Sequence, residues 1–176
     1  MAEPIELRLS NLTQLYHTLD PAPFREGDLD ATAEAYIVDW ARELPRDAPL
    51  AIVIHLPAEE LAKPGAAEVP QSVRHFFAER AQSEAKALRE LFRFGRAALA
   101  LGLVVLAACL GAAVLAARLP LQGPLARLVP ESLVIVGWVA LWRPAEVFLY
   151  DWMPIVRRRR LYARLAVAGV ELRGVG

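Results

Sequence analysis

The chain has 176 residues, of which 56% are hydrophobic, and its formal net charge is zero. The zero hides a split, because residues 1–70 carry 5 basic and 13 acidic side chains, a net of −8, and residues 71–176 carry 15 basic and 7 acidic, a net of +8. The basic half also contains the apolar segments, so membrane topology explains its charge and we expect no nucleic-acid binding. The single cysteine, Cys109, excludes an intramolecular disulfide and a cysteine metal cluster.

The first 57 residues predict a small cytoplasmic β-α-β domain, which places the protein in the α+β class. Residues 5–9 alternate apolar and polar side chains, as in a short strand with one buried face. Residues 50–56 are apolar on both faces, as in the central strand of a small sheet. The β-α-β order predicts that these strands are parallel. Two strands form a thin core, so we expect a third strand within residues 165–173, with Val167–Arg173 as the best candidate.

One helix is expected between the first two strands. A turn with two prolines at residues 20–23 precedes it, and Asp28 or Asp30 caps its N-terminus. Apolar side chains spaced by three and four continue to about Leu44, and Pro45 ends the helix. The acidic side chains around its start are Glu26, Asp28, Asp30 and Glu34. They lack the glycine and ligand spacing of an EF-hand, so we interpret them as capping and helix-dipole charges and expect no metal site.

An uncharged apolar run of 21 residues, Ala97–Ala117, predicts a transmembrane helix, because about 20 apolar helical residues cross a ~30 Å hydrocarbon layer. Apolar side chains at helical spacing before it predict a long amphipathic helix that continues into the run. A second apolar segment follows, so the two spans form a transmembrane hairpin. The predicted segments in order are a linker at 58–70, the amphipathic helix at 71–96, the first span at 97–117, an external loop at 118–131, the second span at 132–150 and a basic cytoplasmic tail at 151–176.

The basic residues predict the orientation of this hairpin. Four of them precede the first span within residues 86–96, and four more follow the second span at Arg157, Arg158, Arg159 and Arg160. The loop between the spans carries only Arg118 and Arg127. By the positive-inside rule, both termini are cytoplasmic in a multi-pass protein of the plasma (inner) membrane.

Charge makes the register of the second span harder to place. Only Ser132–Trp142 is free of charge, and 11 residues are too few to cross the hydrocarbon layer. A register of 132–150 places Arg143 in the inner third, within reach of the cytoplasmic headgroups. A register of about 125–143 instead places two other charged residues in the outer part. We favour the first register, because it places aromatic residues in the inner interfacial belt.

Arg143, Glu146 and Asp151 form the candidate intramembrane polar cluster. A charge deep in the bilayer costs roughly 2.5–3.5 kcal/mol on insertion scales, so such residues usually face protein or water. Arg143 and Glu146 are three residues apart, and they therefore share a helix face on which they can pair. Three interpretations remain open, namely a self-neutralised pair near the interface, a socket for a partner subunit, and an ion or substrate path.

Residues around this cluster favour contact with lipid. The aromatic candidates for interfacial anchors are Trp142, Tyr150 and Trp152. The run Arg157–Arg160 is expected to attract anionic headgroups, by roughly 1 kcal/mol per residue. In the first span, small residues four apart such as Ala107 and Gly111 favour close helix approach, either within the hairpin or between copies.

The segments Gly137–Glu146 (GWVALWRPAE) and Leu149–Ile155 (LYDWMPI) resemble a motif of uncharacterised bacterial two-span inner-membrane proteins. That likeness implies the hairpin architecture, and it carries no known function over to this chain. A looser similarity is to calcium uniporter pores, which combine a soluble N-terminal domain, a long helix and a short hairpin with a Trp/Glu/Pro cluster. Their acidic motif opens the second span at the outer side in the order W-D-x-x-E-P. Here the cluster lies toward the inner side and contains Arg143, which would oppose a cation filter.

The sequence contains no P-loop, dinucleotide fingerprint or nucleophile elbow, so we expect no enzymatic activity and no cofactor. The expected function is that of an accessory, anchoring or assembly subunit of a bacterial inner-membrane complex. Its expected partners are anionic lipid headgroups together with other proteins or copies of itself. The alternative is a homo-oligomeric ion channel or transporter that uses Arg143 and Glu146.

Overall fold

The computed structural model describes residues 4–16, 28–45, 48–118 and 124–175. The predicted turn at residues 20–23, Glu26 and residues 119–123 of the predicted loop lie outside these ranges. The chain divides into two compact units. We call them the sheet unit, Met1–Ala85 with Arg157–Gly176, and the hairpin unit, Lys86–Val156.

The sheet unit is built on three parallel strands in the order β1-β2-β3. They are β1 (Ile5–Arg8), β2 (Ala51–Pro57) and β3 (Gly169–Val175). Ile52 of the central strand pairs with Ile5 on one side and Val170 on the other. The parallel sheet and its third strand near the C-terminus agree with the sequence prediction. The third strand begins four residues later than the earliest predicted position, because the preceding helix continues to Ala166.

The helix between the first two strands is α1 (Ala31–Glu43). Asp30 caps it, since its Oδ1 accepts a hydrogen bond of 2.8 Å from the backbone N–H of Thr32. Leu44 is its C-cap, directly before the proline that was expected to end it. The parallel β1-α1-β2 connection follows from this order of elements.

The predicted linker at 58–70 is instead partly helical, with α2 (Ala58–Leu61) and a 3-10 helix at Pro64–Glu68. Side-chain packing explains the difference, because Ala66 is buried in the core and Leu61 packs against it. Glu60 of α2 also accepts a hydrogen bond from the Leu12 backbone N–H. Its hydrogen bond with Lys63, followed by this one, lowers the pKa of Glu60.

One apolar core holds the sheet unit together. Fully buried members come from the sheet and from three helices: Ile52 and Ile54 from β2, Ile37 from α1, Phe77 from α3 (Val69–Ala117) and Leu165 from α6 (Trp152–Ala166). Burying a side chain of this size contributes about 1.5–3 kcal/mol. The core therefore joins the first elements of the chain to the last ones.

Helix α3 (Val69–Ala117) has 49 residues and begins two residues before the predicted start of the amphipathic helix. After it come α4 (Leu125–Val139), α5 (Trp142–Glu146), a π-helical turn at Val147–Asp151 and α6 (Trp152–Ala166). Regular α-helix is therefore interrupted between Val139 and Trp142, within the predicted span at 132–150. Pro144 accounts for the break, because it has no N–H and sits in the first turn of α5, where none is required.

Within the hairpin unit, α3 packs antiparallel to the later helices, with glycines at the contacts. A Cβ built at Gly102 would lie 2.9 Å from the carbonyl oxygen of Ala140, and one at Gly137 would lie 2.8 Å from Leu106 Cδ1. By contrast, a Cβ at Gly111 meets no described atom within 4 Å. The close approach therefore runs through Gly102 and Gly137, and Gly111 of the predicted small-residue pattern takes no part in it.

In the described part of the chain, two helical stretches are long and apolar enough to cross a membrane, namely Pro64–Ala117 and Arg127–Ala166. Only 11% of the most apolar window of the first, and 17% of that of the second, is buried. Most of each apolar window is therefore exposed, although α3 and α6 also contribute buried residues to the core of the sheet unit.

Candidate functional site

The candidate site in the hairpin unit lies where regular α-helix is interrupted. Helix α4 ends at Val139, the short α5 carries Trp142, Arg143 and Glu146, and the π-helical turn ends at Asp151. π-helical turns are rare, and they occur frequently at functional sites. The predicted polar cluster therefore lies within the irregular part of the second apolar stretch.

Arg143 contacts both carboxylates of the cluster through one nitrogen. Its Nη1 lies 3.1 Å from Oε2 of Glu146 and 3.2 Å from Oδ2 of Asp151. The other oxygen of Glu146, Oε1, accepts a 2.9 Å hydrogen bond from the indole N–H of Trp142. Two donors thus hold the Glu146 carboxylate, and Arg143 joins it to Asp151.

The π-helical turn explains how Asp151 reaches Arg143. Residues eight apart in a regular α-helix are rotated by about 80° from one another at about 100° per residue. A π turn closes its hydrogen bond over one more residue than an α turn, so Asp151 takes the angular place of a seventh residue. That place lies on the face of Arg143, two turns further along.

The cluster is exposed on the surface of the hairpin unit and is not neutral. Side-chain exposure is 58% for Arg143, 39% for Glu146 and 33% for Asp151. One guanidinium between two carboxylates leaves one surplus negative charge. Its neighbours Pro144 and Val147 are buried instead, so the polar face of this segment points away from the packed helices.

Of the three aromatic candidates in this segment, two are exposed and Trp152 is partly buried. Trp142 is 70% exposed and Tyr150 is 65% exposed. The indole N–H of Trp152 donates a 3.0 Å hydrogen bond to the backbone carbonyl of Phe148. Phe148 in turn stacks on Phe92 with ring centroids 6.0 Å apart, which links the π-helical turn to α3 within the hairpin unit.

The basic run lies on α6 within the sheet unit. All four of its members, Arg157, Arg158, Arg159 and Arg160, are exposed. Arg158 forms an ion pair of 3.6 Å with Glu84. Three of the four line a cavity that also includes Arg42 and Arg164, whereas Arg159 is not part of the lining.

Sequence reasoning grouped Arg164 with the basic run after the second span, but it did not identify Arg42 as a member of this basic surface. Arg157, Arg160 and Arg164 are spaced by three and four residues. This spacing predicts that they share a helix face. Arg42 comes from α1, far away in sequence, and no local pattern indicates its position beside α6.

A second charged group in the sheet unit also joins distant elements. Glu34 of α1 pairs with Arg80 of α3 at 2.7 Å and accepts a 3.3 Å hydrogen bond from the Tyr162 hydroxyl. Arg80 also lies 5.0 Å above the ring of Phe76. Burial, followed by the nearby Glu34 carboxylate, raises the pKa of Tyr162. These contacts connect α1, α3 and α6. Glu34 thus stabilises the packing of three helices, in addition to its predicted interaction with the dipole of α1.

Among the residues that the structure describes, no group of three or more His, Cys, Asp or Glu side chains is placed to hold a metal ion. No protein-family model, curated protein or solved structure matches this chain. Three features of the described residues bear on function, namely the polar cluster, the apolar helices and the basic surface.

Proposed function

We propose that this protein is a non-enzymatic accessory, anchoring or assembly subunit of a bacterial inner-membrane complex. The observation that carries the proposal is an exposed cluster of one arginine and two carboxylates within the second apolar helical stretch. Charged side chains within a membrane almost always face protein or water and have partners. The side chains of Arg143, Glu146 and Asp151 are exposed on the hairpin unit, so we expect a partner chain to bind over them.

The membrane location is part of this proposal. Its support is the uncharged 21-residue run Ala97–Ala117 and the low burial of both apolar helices. The basic residues on the flanks of the hairpin support an orientation with both termini in the cytoplasm. In the register 132–150, Arg143 lies in the inner third of the bilayer, and the partner contact is made there.

The chemistry of the cluster indicates what the partner supplies. Arg143 already contacts two carboxylates, so the surplus negative charge favours a basic or hydrogen-bond-donating side chain on the partner helix. Removing one charged residue of a contact shielded from water destabilises the complex strongly, because its former partner is left as an uncompensated buried charge.

The test is co-purification after extraction in mild detergent, with particle mass from light scattering and protein identification. We expect a fixed-ratio complex that Glu146→Gln or Arg143→Gln dissociates while the helical circular dichroism is retained. Glu131→Gln is the matched control, since Glu131 is an exposed carboxylate on α4 outside the cluster. If both cluster variants retain the partner as well as the control does, the proposal is wrong.

The alternative is a homo-oligomeric ion channel or transporter, which the surplus negative charge of the cluster favours. Two spans per copy cannot enclose a pore, so several copies are required. In this case the extracted particle contains this chain alone, and cation flux into liposomes falls when Glu146 is neutralised. A folded oligomer without flux would rule the channel out.

A further inference from the structure

A cavity in the sheet unit concentrates positive charge beside apolar side chains. It has a volume of about 480 Å³ and lies between the C-terminal end of α1 and the middle of α6. Its lining contains five arginines and three apolar residues, namely Arg42, Arg157, Arg158, Arg160, Arg164, Ala41, Leu44 and Leu161. We call it the arginine cavity. Among the described residues, those that line it include no acidic side chain.

The spacing along α6 explains why these side chains meet. Arg157, Arg160, Leu161 and Arg164 follow the pattern i, i+3, i+4 and i+7, which places them along one helix face. Arg159 lies about 200° from Arg157 around the helix at about 100° per residue, and it is absent from the lining. The run of four arginines therefore divides between the cavity and the opposite face.

Much of the positive charge of the arginine cavity is not neutralised. Arg42 pairs with Asp39 at 2.9 Å, and Arg164 donates to the backbone carbonyls of Pro45 and Ala48 at 2.8 and 2.9 Å. In the part of the chain that the structure describes, neither Arg157 nor Arg160 forms an ion pair with a carboxylate. Two guanidinium groups thus remain available to an anionic ligand, while Arg164 holds the wall of the cavity in place.

We propose that the arginine cavity binds the phosphate-bearing headgroup of an acidic phospholipid. Guanidinium groups recognise phosphate through paired hydrogen bonds, and two of them here lack a protein carboxylate. The apolar side chains of Leu44 and Leu161 suit the glycerol and the first carbons of the acyl chains, which a free phosphate lacks. A volume of about 480 Å³ also falls in the range of sites for small organic ligands.

This inference rests on the proposed membrane location, which brings lipid to the protein. It differs from the general attraction of a basic run to an anionic surface, because it assigns different roles to neighbouring arginines. A diffuse surface charge makes Arg159 and Arg160 equivalent, whereas a built cavity makes Arg160 important and Arg159 dispensable.

The test uses the full chain purified in mild detergent, with native mass spectrometry to count bound phospholipids. The probes are phosphatidylglycerol and phosphatidylcholine with the same acyl chains, each at low molar excess. We expect the wild type to retain one phosphatidylglycerol in preference to phosphatidylcholine. Arg160→Gln is expected to weaken this retention about fivefold, and Arg159→Gln by less than about twofold. Thermal melts by circular dichroism check that both variants remain folded.

Equal losses in Arg159→Gln and Arg160→Gln would overturn the proposal, as would wild-type protein that shows no preference for phosphatidylglycerol. Complete displacement of the lipid by millimolar inorganic phosphate would also overturn it, in favour of a soluble anion. Membrane fractionation separates this result from the proposed function. A protein released by alkaline carbonate contradicts the membrane location itself, whereas a retained protein with equivalent variants contradicts the arginine cavity alone.

Discussion

Replacing Gly102 by alanine is expected to destabilise the hairpin unit, while the same change at Gly111 on the same helix is not. Glycine in a helix interior is less favourable than alanine by roughly 0.5–1 kcal/mol, so both substitutions begin with that gain. At Gly102 the new Cβ would lie 2.9 Å from the carbonyl oxygen of Ala140 and 3.0 Å from Leu141 Cδ2. At Gly111 it would meet no described atom within 4 Å.

The Ala140 oxygen belongs to the backbone and cannot rotate away as a side chain would. Pro144 also leaves this carbonyl without the donor that a regular helix would supply four residues later. Overpacking of a tight contact costs typically about 1–3 kcal/mol. We therefore expect Gly111→Ala to be neutral or up to about 1 kcal/mol more stable than the wild type, and Gly102→Ala to be about 1–3 kcal/mol less stable than Gly111→Ala.

The assay is equilibrium unfolding of the full chain in mixed micelles, followed by helical circular dichroism as the denaturing detergent is titrated. Equal midpoints for Gly102→Ala and Gly111→Ala would show that α3 does not approach the Ala140 carbonyl closely. A loss of stability at Gly111 alone would point instead to a contact between copies through the other helix face.

Three further outcomes are expected in the sheet unit. Leu165→Ala truncates a fully buried side chain and should lower the free energy of unfolding by about 2–5 kcal/mol in chemical denaturation. Val167→Ala, at a position 81% exposed, should leave the unfolding midpoint unchanged. Equal effects of the two variants would contradict the assigned role of α6 in the core. Arg164→Gln should lower stability by about 1.5–3 kcal/mol, because its two backbone carbonyl acceptors lose a charged donor; a thermal melt like that of the wild type would refute this. Burial raises the pKa of Tyr16 and Tyr162 in the folded protein, so the unfolded chain loses these protons at a lower pH than the folded one. The free energy of unfolding should therefore fall as the pH rises above about 10. An unfolding free energy that stays constant across alkaline pH in denaturant titrations would refute this.

The polar cluster illustrates how far sequence reasoning reaches. The three-residue spacing of Arg143 and Glu146 was enough to predict that they share a face, because one helical turn separates them. The contact of Arg143 with Asp151 depends on a π-helical turn, and one additional residue in a turn rotates everything after it by about 100°. The exposure of the whole cluster depends in turn on which face of this segment packs on α3.

In the sheet unit, the arginine cavity likewise combines contacts that helical spacing predicts with a contact that only packing explains. Helical periodicity places Arg157 and Arg160 on one face of α6 and Arg159 on the other. The sequence therefore predicts which arginines of α6 lie side by side in the cavity. The position of Arg42 depends on the packing of α1 and α6 around a shared core. The same holds for Glu34, whose contacts with Arg80 and Tyr162 cross between helices.

Local periodicity and the length of apolar runs were sufficient to predict the type and order of the main elements. Alternation and apolar runs predicted the strands of the parallel sheet, and an uncharged 21-residue run predicted the first of two apolar helices. Three features became visible only in the folded chain. Residues 58–70 are partly helical, and α3 makes a close helix contact at Gly102 but not at Gly111. Arginines from α1 and α6 line the same cavity. The physical reason is that element type depends on neighbours a few residues away, whereas contacts depend on the distances and rotations that packing sets between whole elements.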